Sequence, residues 1–219
     1  MRNALTLLLV GVGLGALAAL YPHAAWALVW SGLGFGVVAA AYALQKPGVF
    51  GKRGDGTLAW GPGVLLLPYL LLTWLLWYCQ TRFSREAVRD EVAPGLWLGR
   101  RAALKELPPD VTLVVDLTSE FAEPHDLRTG REYLCVPTLD NAAPDLQAFG
   151  DAVRKVAAWD GTVYVHCALG HGRSALVVAA VLMARGLADG PEEALARVKQ
   201  ARPGVRLNRR QREFLQNWS

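Results

Sequence analysis

Residues 165–174 read Val-His-Cys-Ala-Leu-Gly-His-Gly-Arg-Ser. The run 162–166 is typical of a strand, and an apolar helical pattern begins at Ser174. A loop that enters a helix presents unpaired N–H groups and the positive end of the helix dipole. Gly170 and Gly172 allow the backbone to curl so that these N–H groups converge on an anion. The stretch therefore predicts a phosphate-binding loop between a strand and a helix.

Three side chains give this loop its chemical character. Cys167 lies at its start, where the field that holds an anion also stabilises a thiolate. Arg173 carries a planar fork that can grip two phosphate oxygens at once. Ser174 can donate a hydrogen bond to the sulfur when the sulfur acts as a leaving group. Together they predict a cysteine nucleophile that acts on phosphate groups.

The C-terminal part of the chain alternates strand and helix patterns around this loop. The apolar run Thr112–Leu117 is typical of a buried strand. Further strands are predicted at Leu96–Gly99, Tyr133–Pro137 and Thr162–His166, and helices at Asp145–Trp159, Ser174–Arg185, Pro191–Ala201 and Asn208–Trp218. The alternation predicts an α/β fold with a central, mainly parallel sheet flanked by helices.

The loop resembles the signature of the protein-tyrosine phosphatase superfamily, and its surroundings resemble the dual-specificity branch. The likeness rests on Cys167, the five residues before Arg173, and Ser174, and it covers roughly residues 91–218. It implies that the cysteine attacks phosphorus and forms a phosphocysteine, which water then hydrolyses. It assigns phosphate binding to the loop residues Ala168, Leu169, Gly170, His171 and Gly172. This chemistry needs no metal or cofactor, and the three cysteines show no metal-ligand or disulfide spacing.

The resemblance also requires an aspartate upstream of the loop as the general acid. Asp140, just past the predicted strand Tyr133–Pro137, is the best match. Asp145 is the alternative, although it also suits the N-cap of the next helix. We interpret His166 as a structural hydrogen-bonding partner that helps to shape the loop, and His171 as a residue of the loop's rim.

Residues 1–80 are predicted to form a membrane anchor ahead of a catalytic domain at 81–219. The stretches 4–20 and 24–44 carry no charge and are long enough for two transmembrane helices. The apolar segment 64–78 is either a third span or a helix in the membrane interface. Basic residues lie at both of its ends, so the positive-inside rule favours an interfacial helix and a cytoplasmic catalytic domain in a multi-pass membrane protein.

The sequence leaves the substrate open. The net charge of +4 favours anionic partners, either a phosphorylated protein or a phospholipid at the membrane, and we expect neither nucleic acid nor an obligate protein partner. We expect a phosphatase that cleaves phosphate monoesters as dual-specificity protein phosphatases do. The alternatives are a lipid phosphatase acting on phosphatidylglycerophosphate or a phosphoinositide, and a catalytically inactive phospho-binding module. Rhodanese-like sulfur transfer is disfavoured, because the active loop of that family is shorter.

Overall fold

The structure, a computed structural model, describes residues 2–218 and contains two compact units. The first unit comprises the described residues up to Arg53, together with Leu58–Phe83 and Ser119–Phe121. The second unit comprises Gly54–Thr57, Ser84–Thr118 and the described residues from Ala122 onward.

The first unit is helical. Its helices are α1 (Arg2–Leu20), α2 (Ala25–Leu44), α3 (Trp60–Leu65) and α4 (Leu67–Phe83). The stretches Asn3–Leu20 and Pro22–Leu44 are each long and apolar enough to cross a bilayer. α4 begins within the apolar segment predicted at 64–78 and runs past residue 80, the predicted domain boundary, to Phe83. Two candidate membrane spans therefore precede a shorter apolar helix.

Glycines bring α1 and α2 into close contact. A β-carbon on Gly11 would lie 2.9 Å from the carbonyl oxygen of Gly32, and one on Gly32 would lie 2.9 Å from that of Gly11. Neither position can therefore accept a larger residue without separating the helices. Leu9 and Val12 of α1 are each 63% exposed, so the hairpin keeps an apolar outer surface. This combination suits a helix pair packed in lipid.

The second unit contains a five-stranded sheet. The strands are β1 (Arg89–Ala93), β2 (Leu96–Arg100), β3 (Val111–Thr118), β4 (Glu132–Thr138) and β5 (Thr162–Cys167), in the spatial order β1-β2-β5-β3-β4. β1 pairs antiparallel with β2, and every other neighbouring pair is parallel. The predicted α/β class with a mainly parallel sheet is confirmed. The sequence pattern does not predict β1, because this edge strand is short and largely polar.

The flanking helices are distributed unequally over the two faces of the sheet. They are α5 (His125–Arg128), α6 (Leu146–Ala157), α7 (Arg173–Ala184), α8 (Pro191–Ala201) and α9 (Arg209–Gln216). α6 to α9 share one core with β-strand residues such as Val115 and Val165. The opposite face, which carries Val114 and Tyr164, is covered by Leu127 of the short α5 and by Leu107. The connections on this side hold short elements, α5 and a 3₁₀ turn at Leu104–Glu106.

The central helix α7 fixes the position of the loop before it. Every residue from Arg173 to Leu182 is buried. The helix is apolar on all sides, as expected for an element surrounded by the sheet and by α6, α8 and α9. Because β5 and α7 are both buried, the loop between them has little freedom to move.

Candidate active site

The predicted phosphate loop joins the end of β5 at Cys167 to the start of α7 at Arg173. Gly170 has φ +79°, a conformation that side chains with a β-carbon rarely adopt. A β-carbon there would also lie 2.5 Å from the carbonyl carbon of Gly99, at the end of β2. Glycine at position 170 is therefore required both by its backbone angle and by the close approach of β2.

The sulfur of Cys167 lies at the base of the loop, and the residue is 3% exposed. The backbone N–H of Gly170 and the hydroxyl of Ser174 each donate a hydrogen bond to Sγ, both over 3.3 Å. Sγ also faces the N-terminal end of α7, where the helix dipole is positive. All three contacts favour negative charge on the sulfur.

Arg173 connects the loop to the segment that carries the predicted general acid. The guanidinium is 2% exposed, and its Nη1 donates to the carbonyl oxygen of Thr138 over 2.9 Å. Nη2 lies 3.3 Å from Oδ1 of Asp140, whose side chain is 57% exposed. The structure thus brings Cys167, Arg173, Ser174 and Asp140 together. It places Asp145 elsewhere, as the N-cap of α6, where its carboxylate accepts from the N–H of Ala148 over 3.0 Å.

The segment around Asp140 is held by the start of α9. Asn208 donates from Nδ2 to the carbonyl oxygen of Asn141 over 2.7 Å. Gln211 donates from Nε2 to the carbonyl oxygen of Ala142 over 3.1 Å. Asn141 itself has φ 59°, which asparagine tolerates better than most residues. These contacts order the turn from which Asp140 projects.

His166 precedes the cysteine and lies among buried acidic groups. Its Nε2 is 3.5 Å from Oε1 of Glu123 and 4.0 Å from Oδ1 of Asp116. Within residues 2–218 neither ring nitrogen of His166 makes a hydrogen bond. Any support that His166 gives the loop therefore comes from the nearby carboxylates and from stacking on Tyr164, with ring centroids 5.6 Å apart. The sequence does not reveal the acidic partners, because they come from β3 and from the connection that follows it.

The same three groups, Asp116, Glu123 and His166, place ligand atoms within 4.8 Å of one another, as a metal ion would require. Protein groups already engage the two carboxylates. Asp116 accepts hydrogen bonds from Tyr133 over 2.8 Å and from Thr118 over 2.7 Å, and Arg101 lies 3.6 Å from Glu123. Burial, together with the charge of Asp116, raises the pKa of Tyr133 far above its ordinary value, so the phenol stays a donor. We interpret the cluster as a buried charge network behind the loop.

Arg202 also holds the phosphate loop, and its side chain is 3% exposed. Nε donates to the carbonyl oxygen of Gly170 and Nη2 to that of Leu169, both over 3.1 Å. Nη1 donates to Oδ2 of Asp90 over 2.6 Å and to the carbonyl oxygen of Ala87 over 3.0 Å. The sequence gives no local sign of this role, because the arginine lies far along the chain from the loop.

The remaining loop residues lie at its outer edge. Ala168 accepts a hydrogen bond at its carbonyl oxygen from the N–H of Arg101 over 3.2 Å. The side chain of His171 is 30% exposed, and its Nε2 lies 2.6 Å from Oε2 of Glu86. Several carbonyl groups of the loop are therefore engaged from outside it, an arrangement that suits a loop whose N–H groups face an anion.

Comparisons with known proteins agree with this geometry. The family model described as "Dual specificity phosphatase, catalytic domain" matches residues 99–219, more than half of the chain. A solved variant of human DUSP28 is 30% identical, with a TM-score of 0.54, over 59% of this chain and 92% of that chain. Tk-PTP in its active form is 30% identical, with a TM-score of 0.53, over 60% of this chain and 95% of that chain.

A third structure, PTPMT1 in complex with PI(5)P, is 24% identical, with a TM-score of 0.51, over 60% of this chain and 94% of that chain; it shows the fold alone. The curated proteins include no match to this chain. The family match spans the loop, Arg173 and the segment of Asp140. The chain therefore belongs to the dual specificity phosphatase family, whose catalytic domain it carries from residue 99 onward.

Proposed function

We propose that this chain is a membrane-anchored phosphatase that hydrolyses phosphate monoesters through a phosphocysteine on Cys167. One observation carries the proposal: Sγ of Cys167 accepts from Ser174 at the start of α7, and the buried guanidinium of the neighbouring Arg173 reaches the carboxylate of Asp140. The distance of 3.3 Å between Arg173 and Asp140 supports the pairing of an anion-binding group with a group that transfers a proton. An inactive binding module needs Arg173 but has no use for the thiol of Cys167 or the carboxylate of Asp140.

In the first step the thiolate of Cys167 attacks phosphorus, and the bond from phosphorus to the ester oxygen breaks. Asp140 donates its proton to that oxygen, so the leaving group departs as a neutral alcohol. Arg173 and the loop N–H groups hold the non-bridging oxygens throughout. In the second step water attacks phosphorus, the Asp140 carboxylate takes its proton, and the sulfur leaves as a thiolate that Ser174 stabilises by its hydrogen bond.

Replacing Asp140 with asparagine is expected to slow poor leaving groups far more than good ones. Alkyl phosphates, such as a phosphoserine peptide, should lose roughly a hundredfold or more in kcat/KM, because a positioned general acid contributes about that much. Nitrophenyl phosphate releases nitrophenolate, which departs without a proton, so the loss of kcat/KM on this substrate should stay below about tenfold. Steady-state kinetics on both substrates measures the difference.

Asp145→Asn is the matched control for this prediction. Asp145 carries the same carboxylate, but in the structure it caps α6. The substitution should leave both activities within about twofold, since asparagine is as good an N-cap as aspartate. Equal slowing of both substrates by Asp140→Asn would contradict the acid role, and the larger effect in Asp145→Asn would transfer that role.

The substrate we favour is a phosphorylated protein. Within the loop 168–172 only His171 can carry a positive charge, and it lies against Glu86. The loop therefore offers little charge for a headgroup that bears several phosphates. A lipid phosphatase is the second candidate, because the apolar hairpin would hold the site near headgroups and raise their effective concentration.

For the anchor we propose that residues 1–80 attach the catalytic domain, 81–219, to the cytoplasmic face of a membrane. α1 and α2 would cross the bilayer, and the apolar segment 64–78 would lie in the interface. The support is the length of the two apolar stretches and the basic residues on either side of the segment 64–78.

Trapping the intermediate tests the proposed function. The full chain in detergent is mixed with an aryl phosphate whose phosphate group is radiolabelled. The reaction is then quenched in acid, and the protein is digested. We expect label on the peptide that contains Cys167 and released phosphate in excess over protein. Cys135→Ser, which alters a half-buried cysteine of β4, should keep both signals.

A panel of a phosphotyrosine peptide and phosphatidylglycerophosphate then separates the protein and lipid candidates by kcat/KM. Intact phosphopeptide binding without label or turnover on any substrate would overturn the proposal in favour of a binding module.

A further inference from the structure

The rim of the phosphate loop carries a close side-chain pair that the proposed mechanism does not use. Nε2 of His171 lies 2.6 Å from Oε2 of Glu86, and the two side chains are 30% and 42% exposed. Glu86 lies in the segment before β1, outside residues 99–219 that match the family. A carboxylate from outside the matched residues therefore lies at the edge of the site.

The neighbouring backbone holds the side chains of His171 and Glu86 at the rim. A β-carbon on Gly204 would lie 2.1 Å from Oε1 of Glu86 and 2.9 Å from Nε2 of His171, so both side chains rest directly on this glycine. The carbonyl oxygen of His171 accepts from the N–H of Arg206 over 3.0 Å. Arg202 lies 3.7 Å from the same carboxylate oxygen of Glu86.

A substrate must pass this rim, because its phosphate lies inside the loop and the rest of the molecule extends outward. His171 is the one side chain of the loop 168–172 that can be positive. A second anionic group next to the cleaved phosphate that approached His171 would also come close to the carboxylate of Glu86. Charges at such partly exposed positions interact over several ångströms with moderate screening. The carboxylate therefore opposes the binding of a second anion.

We infer that Glu86 is a specificity-determining residue which, paired with His171 at the rim of the loop, favours phosphopeptides with one phosphate over peptides with a second phosphate beside it. This inference rests on the proposed phosphatase function and names the substrate preference of the same site. Glu86 acts here through charge, and it takes no part in the transfer of the phosphoryl group.

The test compares two peptides of one sequence, a phosphotyrosine peptide and the same peptide with phosphothreonine two residues away. The ratio of kcat/KM, doubly over singly phosphorylated, is measured for the full chain in detergent. Glu86→Gln should raise this ratio roughly fivefold, because it removes one like charge from the rim that the second phosphate must approach. The gain should shrink in high salt, which screens the interaction.

Glu132→Gln is the matched control. It removes one carboxylate from another partly exposed ion pair, 2.5 Å from Lys155 and remote from the loop, with exposures of 49% and 35%. Its ratio should stay within about twofold of the native ratio, since no substrate approaches it.

An equal change on both peptides in Glu86→Gln, repeated in Glu86→Ala, would overturn the inference, because Glu86 would then act only on the shape of the loop. Turnover of nitrophenyl phosphate by the native chain is measured alongside, so a failure of the inference is distinct from a failure of the proposed function.

Discussion

Replacing Cys167 with serine is expected to lower phosphate release by at least about four orders of magnitude. A serine hydroxyl is a far weaker acid than a thiol and stays protonated at the base of the loop, whereas a thiolate is stabilised by the contacts described. The Gly170 N–H and the Ser174 hydroxyl would donate to the serine oxygen as they do to Sγ. Release of phosphate from nitrophenyl phosphate measures the loss.

The loss should be chemical and not structural. The loop, Arg173 and the helix dipole are unchanged in Cys167→Ser, so inorganic phosphate should still raise the thermal stability of the variant by binding the folded state. Cys79→Ser provides a control outside the catalytic unit and should keep full turnover. If Cys167→Ser kept more than about a hundredth of the native rate, another group would be the nucleophile, and the proposed mechanism would be wrong.

The part of the site that the sequence predicts is the part that is local in the chain. The strand, loop and helix around Cys167 follow one another without interruption, and hydrophobic pattern and glycine spacing suffice to place them. Strands β2 to β5 are likewise signalled by short apolar runs, and the structure has them within one or two residues of the predicted bounds. Asp145 acts as the N-cap that its position suggests.

The part that the sequence does not predict depends on distant contacts. Arg202 is one of several basic residues near the C-terminus, and only folding shows that it supports the loop carbonyls. Glu86 pairs with a residue 85 positions away. Glu123 follows β3 in a connection without regular pattern, yet its carboxylate lies beside His166. Long-range pairs of this kind leave no periodicity in the sequence, since their spacing depends on the whole topology.

Asp140 lies between these two cases. Its residue type and its place after a strand are visible in the sequence, but many turns contain an aspartate. From the sequence, the choice between Asp140 and Asp145 rests on the family resemblance and on the fitness of Asp145 as a helix N-cap. The structure supplies the missing distance by placing Asp140 against Arg173, which itself reaches the carbonyl oxygen of Thr138. The residue proposed as the acid thus contacts the arginine proposed to bind phosphate.

Replacing Arg173 with lysine is expected to lower kcat/KM about a thousandfold, although the charge is kept. The guanidinium can donate to two phosphate oxygens in one plane, and an ammonium group presents a single point charge. Lysine also loses the geometry that lets Nη1 reach Thr138 while Nη2 lies by Asp140. Steady-state kinetics with nitrophenyl phosphate measures the loss.

Arg185→Lys is the matched control. Arg185 follows α7 directly and also donates to a carbonyl oxygen, that of Val156, over 2.8 Å. Its substitution should change kcat/KM by less than about threefold, since the residue is not part of the site. If Arg173→Lys kept more than a tenth of the native kcat/KM, a bidentate grip on phosphate by Arg173 would not be needed for turnover.

The contact between Arg173 and Asp140 leads to a further prediction for Arg173→Lys. If the arginine orients the acid as well as binding phosphate, Arg173→Lys should reduce the benefit of the acid on a poor leaving group. Adding Asp140→Asn to Arg173→Lys should then cost clearly less than the product of the two single losses, because residues that act as a unit are not additive. Independent losses would mean that the 3.3 Å contact has no part in proton transfer and that the turn from Thr138 to Ala142 is positioned by α9 alone.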